Sequence, residues 1–296
     1  MPVFAEIIDE SEDSYIESNI FKENKVKLSE GDNFEFVCQS SDKNIKYIIS
    51  KFEEIIKDLK IDGVFLDRIR YKSSALKKDA IFGCLCDNCK KLYKKYDVDL
   101  DLLLKENFYN KLTPIKIING VYEYEDKDLN NLMKAKRENI TNQIHKLYDY
   151  FKNKGLKVGL DTFALSIADL VGQDIISLND YSDFIKPMLY LKTTAPAGIP
   201  FELDGLEDKT IEAISKLWNC NLRDINSSIK QCDYLIKNNV NITPSIDINK
   251  FEGIVDSNPE YVKEYIDELQ NINCKEVVLS WDSMKIDDIL LDKLMR

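Results

Sequence analysis

Along this chain, short runs in which apolar and polar residues alternate are separated by stretches in which apolar residues recur at every third and fourth position. The first period belongs to a strand and the second to a helix, so the pattern predicts the two in alternation. Six runs read as strands: Val3–Ile8, Gly63–Ile69, Lys157–Phe163, Phe184–Tyr190, Asn241–Ile248 and Glu276–Ser283. Their apolar face is set by pairs such as Val64 and Leu66, Val158 and Leu160, Ile242 and Ile246, and Val277 and Leu279. The opposite face carries Glu6, Asp67, Asp161, Tyr190, Asp247 or Asp282 at or near the C-terminal end of each run. Strands whose apolar face lies under helices, and whose polar groups gather at one end, describe the mouth of a barrel, where such enzymes keep their chemistry. Any one strand-end Asp is more often a turn or cap residue, so the expectation rests on the six together.

Between the runs, Ile45, Ile48, Ile49, Phe52, Ile55, Ile56 and Leu59 follow helical spacing behind a cap at Ser41 or Asp42. A second amphipathic stretch, Asn130 to Lys154, stops at Gly155 and leads straight into the third run. Helices are also predicted at Ala168–Leu178, Leu206–Trp218, Asp224–Asn238, Pro259–Asn271 and Ile286–Met295. Such alternation means parallel strands joined by right-handed crossovers. Residues 71–129 leave the pattern and are long for a connection. They hold a cysteine cluster, a helix near Asn88–Tyr96 and a hairpin turning at Asn119-Gly120. The expected fold is α/β: one TIM-type (β/α) barrel domain over residues 1–296, with 71–129 as an excursion within it. Six strands are fewer than the eight of a closed barrel. Phe34–Cys38 is a candidate seventh, and the shortfall lies at the front, where a strand-helix-strand unit is missing or replaced.

Composition narrows the function. A net charge of −11 and a pI near 4.9 on 296 residues argue against binding a phosphate backbone, which needs clustered Lys and Arg. The basic stretch Lys90–Lys95 reads as a solvated helix face. No run approaches membrane-spanning length, and Met1–Ile8 is followed by Asp9, Glu10, Glu12 and Asp13 rather than by a signal-peptide core. The chain as given is expected in the cytoplasm, or outside it if its N-terminus has been trimmed. The sole histidine, His145, lies mid-helix and leaves most hydrolytic triads without a base. Ten scattered glycines form no phosphate loop, and no organic cofactor is expected.

Cys220, Cys232 and Cys274 sit in apolar segments and read as reduced core thiols. Cys84, Cys86 and Cys89 give C-x-C-x2-C, whose turn lets three thiolates converge, and Cys38 is the obvious fourth ligand. Four cysteines close a tetrahedral site with no open position, so a metal here would be structural; the alternative is free thiols in a loop. The pattern resembles the zinc site of the β-galactosidases of glycoside hydrolase family 42, which lies beside the fourth barrel strand. Iron–sulfur and dithiol redox readings lack the surrounding motifs.

Cys38-Gln39-Ser40-Ser41 before a helix, and then Ile61-Asp62-Gly63-Val64-Phe65-Leu66-Asp67-Arg68-Ile69-Arg70-Tyr71, resemble the third-to-fourth strand region of the hypothetical glycosyl-hydrolase-like barrels of bacteria. Gly159-Leu160-Asp161-Thr162-Phe163, Leu170-Val171-Gly172-Gln173-Asp174 and Ile185-Lys186-Pro187-Met188-Leu189-Tyr190 are similar to the fifth and sixth strand regions of the same proteins. The resemblance covers roughly residues 30–200. It implies that the chain starts at the third strand, that the excursion follows the fourth, and that another chain or segment would complete the barrel.

Glycosidic cleavage needs two carboxyl groups across the scissile bond. Asp67 is the first candidate, with Asp161, Asp247 or Asp282 as partner and Glu6 as a further acid at the mouth. An arginine beside Asp67 keeps it ionised for a nucleophile or electrostatic role, and alternation favours Arg70 over Arg68. Tyr190, Tyr71 and Trp281 are candidate sugar-stacking surfaces, although aromatics are more often core. Lys186 shares Tyr190's face and is expected to pair with Asp67 or Asp161. The function expected is hydrolysis of a glycosidic bond, with a carbohydrate or small molecule as ligand. The rivals are a non-catalytic carbohydrate-binding barrel and a divalent-metal barrel lyase or isomerase, since acids of this kind can also hold Mg²⁺ or Mn²⁺.

Overall fold

The computed structural model describes residues 38–57, 59–75, 78–105 and 111–280, with the backbone of four short strands before them. Strand β1 (Pro2–Phe4) precedes β2 (Glu6–Ile7), β3 (Lys25–Ser29) and β4 (Asp32–Phe36), and helix α1 (Asp42–Ile56) leads to β5 (Gly63–Asp67). The excursion holds a 3-10 turn at Lys78–Phe82, α2 (Asp87–Lys95), α3 (Leu100–Lys105), and the hairpin of β6 (Pro114–Ile118) and β7 (Val121–Tyr124). The long helix α4 (Lys127–Asn153) feeds β8 (Lys157–Phe163). Helices α5 (Leu165–Ala168) and α6 (Ile175–Leu178) come before β9 (Phe184–Met188). Three more, α7 (Ile199–Asp204), α8 (Asp208–Trp218) and α9 (Ile225–Lys237), precede β10 (Ser245–Asp247). A small hairpin, β11 (Lys250–Phe251) and β12 (Val255–Asp256), then leads to α10 (Pro259–Asn271) and β13 (Val278–Ser280).

Six strands form one parallel sheet in the order β1-β5-β8-β9-β10-β13. Each strand is added beside its predecessor and always on the same side. That is the winding of a barrel wall; a doubly wound sheet reverses direction. Among the described residues no bond joins β13 to β1, and a complete eight-stranded barrel is not seen. The apolar face is buried as the alternation predicts: Val64, Leu66, Val158, Leu160, Ile185 and Ile246 are shut away from solvent.

The front of the chain departs from expectation. Of the first run, β1 joins the parallel sheet beside β5, whereas β2 pairs antiparallel with β4, Glu6 opposite Phe36. Residues 34–36, the start of the candidate seventh strand, therefore belong to a separate sheet of order β2-β4-β3. The cause is local: Ser29 and Asp32 are too close in sequence for a crossover, so β3 and β4 can pair only antiparallel. The expected terminal helix, Ile286–Met295, lies outside the described residues.

Elements with strong local signals fall where expected. Asn119 (φ 51°) and Gly120 (φ 80°) make the two-residue hairpin turn, and Gly155 (φ 75°) ends the long helix. That helix begins at Lys127, ahead of the expected Asn130, because the Asp126 side chain caps it by accepting from the Leu129 N–H. The strand expected over Asn241–Ile248 shrinks to Ser245–Asp247. Ile185 and Leu189 donate to Asn241 and Ser245 across this edge, but Pro187, between them, has no N–H to give.

On the polar face of the sheet, Phe65, Gly159 and Phe184 stand in register across three strands. The two rings lie with centroids 6.0 Å apart. A Cβ on Gly159 would sit 2.4 Å from Phe184 Cζ and 2.7 Å from Phe65 Cδ2. Gly159→Ala is therefore expected to lower stability by about 1–3 kcal/mol, because overpacking a filled site displaces its neighbours. Urea unfolding would measure this, and an unchanged midpoint would mean the rings move aside freely.

Candidate active site

One residue further along the same face, Asp161 and Lys186 are register partners on β8 and β9 and form an ion pair of 2.9 Å. The Lys186 ammonium lies 5.2 Å from the centre of the Phe65 ring and donates to the Tyr190 hydroxyl at 3.3 Å. That hydroxyl accepts from Ser245 Oγ and donates to Ser280 Oγ, each at 3.0 Å. A polar chain thus crosses four neighbouring strands, β8, β9, β10 and β13: Asp161, Lys186, Tyr190 just past β9, and then Ser245 with Ser280. Tyr190, as buried as Asp161, is a member of this chain.

Asp161 is buried, and among the described residues its Oδ1 has no hydrogen-bond partner. Burial pushes its carboxyl up to about 7; Lys186 opposes the rise, the nearby charge of Asp67 adds to it and Arg70 opposes it. Burial also works to deprotonate Lys186, but Asp161 and Tyr190 outweigh it and hold the ammonium above its usual range. Lys186→Met removes the counter-ion while burial and Asp67 remain, so the Asp161 carboxyl is expected to rise by a further ~1–3 pH units. Carbon-13 NMR of labelled aspartate would follow the titration, and a fall would mean that Lys186 is not the group restraining Asp161.

Asp67 ends β5 and is half-buried. The chain kinks immediately after it: Arg68 has φ 58°, and the Arg70 N–H bonds back to the Arg68 carbonyl at 2.9 Å. A left-handed arginine costs on the order of 1 kcal/mol, and such strain persists only where the surroundings enforce it. Strand alternation therefore stops at Asp67. Arg70 is buried, its guanidinium 4.3 Å from the centre of the Phe163 ring. Its charge reaches both Asp161 and Glu202 of α7. Glu202 is itself buried and accepts from the Ala197 N–H at 2.9 Å. Burial raises its carboxyl, against the pull of Arg70. The sequence pattern missed Glu202 because it lies on a short helix after an irregular loop, with no periodic signal.

Other candidates are used differently. Asp247 is fully buried and accepts from the Lys192 N–H at 2.7 Å, the Thr193 hydroxyl at 3.0 Å and the Tyr261 hydroxyl at 2.7 Å. It pins the loop after β9 to α10, so its position in a strand gave no warning of its role as an anchor. Tyr71, expected as a stacking surface, is fully buried; its hydroxyl accepts from Asn139 at 2.8 Å and Lys136 lies 5.2 Å from its ring centre. Glu6 lies on the antiparallel sheet, and Trp281 and Asp282 fall outside the described residues.

The four cysteines do come together. All four Sγ atoms of Cys38, Cys84, Cys86 and Cys89 lie within 4.8 Å of one another, with Cys38 3.4 Å from Cys86 and 3.5 Å from Cys89. Metal–sulfur bonds of about 2.3 Å arranged tetrahedrally place sulfurs roughly 3.8 Å apart, so this donor set fits one ion. Three of the four are buried, and among the described residues no other group of His, Cys, Asp and Glu has such geometry. Nor, among those residues, is any helix long and apolar enough to cross a membrane.

No family model matches the sequence, and no curated protein is recognisably similar. Among solved structures, the chain is similar to the PgaB (BpsB) glycoside hydrolase domain from Bordetella bronchiseptica at 9 % identity and a TM-score of 0.58, over 95 % of this chain and 69 % of that one. The likeness is one of fold. It also overlaps catalytic domain 2 of the Ostrinia furnacalis Group II chitinase at 11 % identity and a TM-score of 0.35, over 73 % of this chain and 43 % of that one, too partial a likeness to bear on the fold.

Proposed function

We propose that this protein hydrolyses a glycosidic bond at the C-terminal mouth of its parallel sheet, using Asp67 and Asp161. The observation that carries the reading is the contrast between two neighbouring carboxyls. Asp67 is half-buried, while Asp161 is buried and keeps its proton to about 7. Neighbouring acids in unlike environments divide the work of acid and base. Protonated Asp161 donates to the glycosidic oxygen as the C–O bond breaks. Asp67, as carboxylate, either attacks the anomeric carbon, in which case the water that later frees the sugar returns its proton to Asp161, or itself takes the proton of the water that attacks. A separation of about 5–5.5 Å would make Asp67 the nucleophile, and about 6.5–9.5 Å the base. Arg70, buried against Phe163, brings its positive charge to bear on Asp161.

In this reading the six parallel strands are most of a TIM-type barrel, residues 71–129 are part of the same domain, and the ligand is a carbohydrate. The Lys186 ammonium lies 2.9 Å from Asp161, and its positive charge disfavours a divalent cation at these acids. The four cysteines are assigned as a structural zinc site, since four thiolates leave no open position for chemistry. The test is release of reducing ends from a panel of polysaccharides between pH 4 and 9. Activity is expected to fall as pH rises through about 7, where Asp161 loses its proton. Carbohydrate binding without release from any member would support a non-catalytic barrel.

A further inference from the structure

Lys136, in the middle of α4, is 0 % exposed. Burying an ammonium is costly unless its protons are well used. Here Nζ donates to the Ile81 carbonyl at 2.9 Å and to the Leu170 carbonyl at 2.8 Å. These acceptors belong to two different segments. Ile81 lies in the 3-10 turn just before Cys84, and Tyr93, on the helix that carries Cys89, donates to Phe82 O at 3.0 Å and Cys84 O at 3.1 Å. Leu170 lies in the turn that ends at Gln173. The Gln173 side chain accepts from the Phe163 N–H at 2.9 Å and donates to the Asp161 carbonyl at 3.2 Å, so it holds the end of β8.

We propose that Lys136 is a positioning residue that ties the four-cysteine site to the Asp161 end of β8, so that metal occupancy fixes the candidate active site. This rests on the readings of the cysteines as a metal site and of Asp161 as a reacting group. The chemistry of the side chain explains the choice. Two carbonyls from separate segments point at one buried spot, and a long stem ending in several donors can satisfy both, whereas an apolar residue would orphan them. The Leu170 turn also meets the chain leaving β5, where the Tyr71 N–H donates to Val171 O at 3.0 Å. A Cβ on Gly172 would lie 3.2 Å from both the Lys136 carbonyl and the Tyr71 ring, which leaves no slack between them.

The test is amide hydrogen exchange on the zinc-loaded full chain before and after chelation, in wild type and in Lys136→Met, which keeps the stem and loses the donors. In wild type, chelation is expected to speed exchange in residues 78–95 and, by about tenfold, in residues 161–173, while α9 stays unchanged. In Lys136→Met, residues 161–173 are expected to exchange fast already and to respond less than about twofold to chelation. Lys136→Arg, which retains charge and donors, is expected to behave as wild type. If chelation leaves residues 161–173 untouched, if exchange rises equally in α9, or if no zinc binds, the proposal is overturned. Should Lys136→Met not fold, the wild-type chelation result decides. No substrate is needed, so a failure of the hydrolase reading shows separately as absence of reducing ends.

Discussion

Asp67→Asn is expected to cut turnover of a glycosidic substrate by about a thousandfold while the protein stays folded. Asn keeps the size of the side chain but cannot carry the negative charge that either attacks the anomeric carbon or takes a proton from water. Asp67 is half-buried at the last position of β5, so the exchange leaves the core untouched. A second effect distinguishes loss of charge from loss of shape. Asp67 is one of the groups that raise the Asp161 carboxyl to about 7. With its charge gone, Asp161 releases its proton at lower pH, and the alkaline fall of the residual activity moves down with it. The measurement is a pH series of kcat for wild type and variant, with circular dichroism as the check on folding. A loss of less than tenfold with an unmoved limb would place the reacting carboxylate elsewhere.

Cys89→Ser is expected to abolish metal binding and to lower stability by about 4 kcal/mol or more, roughly 10 °C in Tm. Cys89 is fully buried on α2, and its sulfur approaches Cys38, which lies just before α1. One ion would therefore join the excursion to the segment that enters β5. Ser is a poor ligand for a soft site, and the other three sulfurs, two of them buried, would be left as crowded thiols. Thermal unfolding with and without a chelator, together with metal analysis of the purified chain, would measure both effects. If the variant melts with the wild type and chelation changes neither, the cysteines are free thiols and the excursion is held by its own packing.

Much of the architecture was legible in local signals, because each depends on a few adjacent residues. Asn119-Gly120 specifies its turn, Gly155 its helix end, and the C-x-C-x2-C spacing a convergence of thiols whichever way the chain runs. The period-two alternation put Asp161 and Lys186 on the same face as Asp67, and parallel register made two of them partners. That much followed from the strands alone.

Other features were settled only when distant segments met. A strand-end Asp looks the same whether it is free or spent; Asp247 is spent, because Lys192, Thr193 and Tyr261 arrive from other elements with protons to donate. Tyr71 lies beyond the kink at Arg68, so it follows the excursion into the core and never reaches the mouth. Pro187 was visible in the sequence, but its cost appears only across the edge shared with β10, where an N–H is wanted. The sequence by itself determined the alternation of elements, the faces of the strands and the grouping of cysteines, since these arise from backbone period and short-range spacing. The tertiary structure decided which carboxyls keep their charge, which aromatics are covered and which lysines are buried, since burial and hydrogen-bond partners are set by chain segments far apart in sequence.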